Sequence, residues 1–171
     1  MMREMKKLGP PHSHVVSAAE GWLGFGNPAE AKAELARLPK RLEKHPEVLE
    51  VRWAIHAQEQ DWIEALRIAC YLIQTAPKSP VGWIHQAYAL RRVPEGGLES
   101  AWNSLFPAMD KFPKNPIIPY NLACYACQLR QPAKARVLLI RAMALGGRDH
   151  IKQMALHDSD LQPLWAAIET L

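Results

Sequence analysis

Four short segments recur at an interval of about 34 residues, and no other feature constrains the fold as tightly. They are Asn27-Pro28-Ala29-Glu30-Ala31, Asp61-Trp62-Ile63-Glu64-Ala65, Gly97-Leu98-Glu99-Ser100-Ala101 and Gln131-Pro132-Ala133-Lys134-Ala135. Their closing alanines are 34, 36 and 34 residues apart. A period of that length marks a stack of identical supersecondary units, none of which can bury its apolar face alone. Each alanine stands early in a stretch with 3-and-4 apolar spacing, such as Ala65, Ile68, Ala69, Leu72 and Ile73, or Ala135, Leu138, Leu139, Ala142 and Met143. That spacing predicts an amphipathic helix. An alanine there lets the second helix of a pair approach the first closely.

Breakers punctuate the pattern. Pro77 and Pro80 close the second unit, Pro113 and Pro116 the third, Gly146-Gly147 the fourth, and Pro46 the first. First helices are expected at Val48–Gln58, Val81–Arg92 and Ile117–Leu129. Pro28 and Pro132 fall at second-helix starts, where a missing N–H costs nothing.

These residues resemble the tetratricopeptide repeat (TPR) family, a helix–turn–helix repeat of about 34 residues. The fourth unit carries Leu122-Ala123, Ala135, Leu139 and Ala142, the third Trp83, Ala101, Leu105, Ala108 and Pro113, and the second Leu49, Ala65, Leu72 and Pro77. The third unit has two extra residues near Pro94-Glu95-Gly96-Gly97, and the first keeps only Trp22 and Ala31. Tyr120–Tyr125 and Ala155–Trp165 look like bacterial TPR proteins of unassigned function. The resemblance implies an all-α, right-handed α-solenoid of about four TPR-like helix pairs. The expected organisation is a flexible tail over 1–11 and repeats over 12–46, 47–80, 81–116 and 117–147. Capping helices follow over 148–171. Pro39 and Pro107 lie inside second helices, where proline costs about 3 kcal/mol, so a bend or early break is expected at Leu38-Pro39 and Phe106-Pro107. Ser159 to Leu171 places Leu161, Leu164, Trp165, Ile168 and Leu171 on one helical side behind an Asp158-Ser159-Asp160 cap. It reads as the helix that closes the last open face of the stack.

Composition excludes several classes. Hydrophobic residues are 49% and charged residues 22% of 171, ordinary soluble usage rather than disorder. No run of about 18 apolar residues suggests a transmembrane helix. Met1 to Pro11 is basic without a following apolar stretch, which argues against a signal peptide and for a cytoplasmic protein. Cys70, Cys124 and Cys127 are an odd number and read as free thiols. Cys124-Tyr125-Ala126-Cys127 is a C-x-x-C, but it sits inside a predicted helix with no preceding strand and no second pair, so neither a redox motif nor a zinc site is expected. The histidines His12, His14, His45, His56, His85, His150 and His157 complete no metal motif. No phosphate loop, dinucleotide fingerprint or nucleophile elbow is present. The expectation is a non-enzyme without cofactor or metal.

In such a stack the first helices line a concave groove. Repeat register places Glu50, Ala54, Ile84, His85, Tyr88, Arg91, Tyr120, Asn121, Cys124 and Gln128 on it. The leading expectation is an interaction adaptor that holds a protein or peptide there through a few aromatic and arginine anchors. Chaperone-binding relatives grip a carboxylate with lysines and asparagines on successive first helices. Here Val16, Glu20, Glu50 and Ala54 fill those places and only Asn121 fits, so no such clamp is expected. Two alternatives come from other features. Between Lys111 and Lys152 the bases are Lys111, Lys114, Arg130, Lys134, Arg136, Arg141, Arg148 and Lys152, with Asp149 the only acid. Such a stretch could attract single-stranded nucleic acid, though no recurring base-reading pair accompanies it. Self-association as a homo-oligomer or chaperone-like holdase is the other.

Overall fold

The computed structural model describes residues 7–170, and among them every regular element is helical. The chain divides into two compact units, residues 1–85 and 86–171.

The first unit contains α1 (His12–Gly24), α2 (Pro28–Leu35), α3 (Pro46–Gln58) and α4 (Trp62–Thr75). Helix α1 packs on α2 and α3 on α4, as the repeat requires. Val16, Ala19 and Leu23 from α1 meet Ala31 and Leu35 from α2 and Val48, Val51 and Ile55 from α3 in one buried cluster. Each buried Leu, Ile or Val contributes about 1.5–3 kcal/mol of transfer free energy. Both second helices of this unit carry a side-chain cap. Asn27 Oδ1 accepts from the Glu30 N–H at 3.2 Å and Asp61 Oδ1 from the Glu64 N–H at 3.3 Å.

Pro39 acts as anticipated. Helix α2 stops at Leu35, Pro39 is extended with ψ 141°, and a 3-10 turn over Lys40–Leu42 carries the chain to α3. Pro46, expected to end the first unit, instead opens the second. It is the first residue of α3, with the His45 ring accepting from the Glu47 N–H at 3.3 Å. Of the tail expected over 1–11, residues 1–6 lie outside the described residues. Leu8 donates its N–H to Glu47 Oε1 at 3.1 Å and packs against the cluster.

Helix α5 (Val81–Leu90) runs across the division between the units. The second unit continues with α6 (Leu98–Leu105), α7 (Ala108–Lys111), α8 (Ile117–Gln128), α9 (Pro132–Gly146), α10 (Arg148–Leu156) and α11 (Trp165–Glu169). Phe106-Pro107 separates α6 from α7, again the expected break. A Cβ at Gly96 would run into the Leu90 carbonyl, so the tight return from α5 to α6 requires glycine. Helix α8 is buried almost all round. From Ile118 to Cys127 only Asn121 is not buried, because α6, α9 and the C-terminal segment all lie against it. The four repeat alanines, Ala31, Ala65, Ala101 and Ala135, are each 0% exposed.

The C-terminal segment corrects one expectation. Ser159 to Leu171 is not one helix, because Pro163 breaks it into a 3-10 stretch over Ser159–Leu164 and the short α11. Leu161, Leu164 and Ile168 are buried, and Trp165 donates its Nε1–H to the Ala155 carbonyl at 2.9 Å. Leu171 lies outside the described residues.

Candidate functional site

The ten groove candidates fall in both units. In the first, Glu50 and Ala54 sit half-buried on α3, and Ala54 packs on the core cluster. Burial, with Glu47 and Glu20 nearby, pushes the Glu50 carboxyl above its ordinary range. Ile84 is half-buried on α5. His85 is half-buried and lies flat on Trp53, ring centroids 3.7 Å apart and planes 2° from parallel. Burial pulls its pKa down to about 4, so the imidazole is neutral at physiological pH. His85 therefore belongs to packing rather than to an open groove.

The second unit brings six candidates together. Tyr88 and Arg91 come from α5 and the turn after it, and Tyr120, Asn121, Cys124 and Gln128 from α8. A cavity of about 260 Å³ is lined by Tyr88, Arg91, Asn121 and Cys124, with Arg92, Tyr125 and the elbow Asp158-Ser159-Asp160. Sequence reasoning missed Arg92, Tyr125 and the elbow as parts of this site.

The elbow organises it. Both Arg91 guanidinium NH2 groups donate to the Asp160 carboxylate, Nη2 to Oδ1 at 3.0 Å and Nη1 to Oδ2. This bidentate pairing raises the already high Arg91 pKa further. The Tyr120 hydroxyl donates to Asp158 Oδ2 at 2.9 Å, the Cys124 thiol lies 3.5 Å from the same oxygen, and Gln128 Nε2 donates to the Asp160 carbonyl at 2.8 Å. Tyr120 and Cys124 are only 5% and 3% exposed. The expectation that both side chains stand open in a groove does not survive this burial. Tyr88 remains 37% exposed and Asn121 half-exposed. The Arg92 guanidinium lies 3.7 Å from the Tyr88 ring centroid and donates to the Tyr88 carbonyl, and desolvation lowers its pKa. The Tyr125 hydroxyl is buried with no hydrogen-bond partner among the described residues.

This environment is unsuited to thiol chemistry. Burial first, then the carboxylates of Asp158 and Asp160, push the Cys124 pKa far up, and burial raises that of Cys127. Both thiols stay protonated at neutral pH and are poor nucleophiles. Ligand atoms of Cys124, Asp158 and Asp160 lie within 4.8 Å of one another, but Arg91, Tyr120 and the Asp160 N–H already engage the two carboxylates. A metal there would have to displace a paired guanidinium.

A larger cleft of about 520 Å³ opens in the first unit where α2 stops short. Its rim cations Lys32 and Arg67 are already paired with Glu59 and Glu64, and none of the ten candidates lines it.

Solved structures match this arrangement along nearly its whole length. TTC0263, a thermophilic TPR protein in Thermus thermophilus, aligns with a TM-score of 0.69 at 19% identity, covering 94% of this chain and 100% of its own. The chain has a TPR-type fold. The MamA RS-1 ArsTM double mutant aligns with a TM-score of 0.61 at 17% identity, covering 96% of this chain and 93% of its own. No protein-family model and no curated protein matches the sequence. Among the described residues no helix is long and apolar enough to cross a membrane.

Proposed function

We propose that this TPR-type chain is a non-catalytic interaction adaptor that holds a peptide or helix of a partner protein against the α5 and α8 face of its second unit. One observation carries the reading. Tyr88, Arg92 and Asn121 border a cavity of about 260 Å³ that the buried Tyr125 also lines. An exposed tyrosine beside arginines is the composition of an interface anchor. The solved TPR-type neighbours favour protein binding in general, and the raised thiol pKa values leave the C-x-x-C without a reactive thiolate.

The test is affinity capture from the source cells with the wild-type chain and a Tyr88→Ala, Asn121→Ala variant of unchanged helicity. Arg91 and Tyr120 stay intact, because they hold the elbow. Loss of the same partner from the variant supports the site. Capture of the same partners at the same yield rejects it.

A further inference from the structure

The outward face of α9 has a pattern that the proposed adaptor site leaves unused. Ala133, Val137, Ile140 and Ala144 are spaced by four, three and four residues, the seam of a heptad helix. All four are exposed, Val137 by 68% and Ile140 by 45%. Lys134 and Arg141 flank this seam on one side and Arg136 on the other, all exposed. None of the three is ion-paired with a carboxylate among the described residues, and Lys134 Nζ lies 4.9 Å from the Trp102 ring centroid.

The pattern is not a consequence of the repeat. Aligned on Ala65 and Ala135, α4 carries Ile63, Arg67, Cys70 and Gln74 where α9 carries Ala133, Val137, Ile140 and Ala144, so only its first position is apolar and exposed, at Ile63. There Arg67 is neutralised by Glu64 on its own helix. Past its exposed Ile63, the same outer face is thus self-paired and without a continuous seam in one repeat, and carries an unbroken apolar seam with uncompensated cations in another.

We propose that this face of α9 docks an acidic amphipathic helix of a partner protein. The partner's apolar residues would pack on Val137 and Ile140, and its flanking Glu or Asp residues would pair with Lys134, Arg136 and Arg141. Charges beside a heptad seam select the partner, and here they demand the opposite sign. A second copy docking through the same face would set arginines against arginines, so self-pairing is disfavoured. A lipid surface is the poorer match, because interfacial helices bury Trp, Phe or Leu and this seam has two alanines. Small residues instead let a second helix backbone come near. A nucleic-acid backbone would leave the apolar seam unmatched.

The experiment displays a library of helical peptides about three heptads long, with apolar residues at the seam and Glu, Lys or Gln at the flanking positions. The full-length chain selects from it. Glu should be enriched over Lys at the flanks by at least about tenfold. An Arg136→Glu, Arg141→Glu variant should reverse that preference, Val137→Asp should abolish selection, and Arg136→Lys, Arg141→Lys should retain it. Far-UV circular dichroism checks the fold, and Arg136→Gln with Arg141→Gln should still lose the preference if reversed charges unsettle α9. Selection without flank preference, or a preference unchanged by charge reversal, overturns the proposal. So does charge-dependent binding only to phosphatidylserine vesicles or single-stranded RNA, or a dimer that Val137→Asp dissociates.

Discussion

Acid should loosen the first unit through one imidazole. His85 lies on Trp53 at 3.7 Å, and burial holds its pKa at about 4 against an ordinary value of 6.5. The folded state keeps the ring neutral, while the unfolded chain takes up a proton as pH falls through 6.5. A depressed histidine pKa therefore contributes stability that is fully present above pH 6.5 and drains away between 6.5 and 4. At 1.36 kcal/mol per pKa unit the full loss is about 3 kcal/mol below pH 4, and about 2 kcal/mol is already lost at pH 5. Against the about 5–15 kcal/mol by which domains are stable, this is a large fraction. The assay is urea unfolding at pH 7.5 and pH 5, followed by tryptophan fluorescence and circular dichroism. It compares wild type with His85→Phe, which keeps an aromatic ring on Trp53 but cannot titrate. The other histidines are common to both proteins, so their effects cancel in the difference. Wild type should lose about 2 kcal/mol more than the variant over that interval. Equal losses would refute the assignment of a buried, neutral His85.

Three further outcomes follow from the packing. Ala135→Leu inserts a branched side chain at a position with 0% exposure between α8 and α9, and should cost about 1–3 kcal/mol by thermal or urea unfolding. Removing Arg91 or Asp160 singly should destabilise the second unit by about 1–2 kcal/mol, because the pair is only partly screened from solvent. A double-mutant cycle should return a favourable coupling, and additivity would deny the pairing. In native protein, Cys70 should react with a thiol-specific disulfide reagent before Cys124 and Cys127, which are 3% and 6% exposed. Release of all three at one rate would contradict that burial.

The fold was legible because its information is local and repeated. Ala31, Ala65, Ala101 and Ala135 each announce a helix contact, and the prolines between them announce its end. Pro39 and Pro107 could be read the same way, since a proline's effect on its own helix needs no knowledge of distant residues. Pro46 shows the limit of such punctuation. A proline can end one helix or begin the next, and the helix it begins here is fixed by how Val48, Val51 and Ile55 pack on α1 and α2.

The site was less legible, because its bonds join residues far apart in sequence. Arg91 meets Asp160 across 69 positions, Tyr120 meets Asp158 across 38, and Gln128 reaches the Asp160 carbonyl across 32. Read locally, Asp158-Ser159-Asp160 is a helix cap, and Asp158 does accept from the Asp160 N–H at 3.0 Å. The same three residues also cover the face that repeat register reserves for a partner, which no local pattern records. One signal was available. Asp158, Asp160 and Glu169 are the only charged residues after Lys152, following a stretch nearly free of acids. Acids gathered at a chain end, with bases gathered before them, suggest that the end folds back. That signal points to the basic stretch from Lys111 to Lys152, yet Asp160 pairs with Arg91, which lies before it, so charge patterning suggests that the end folds back without naming the residue it meets.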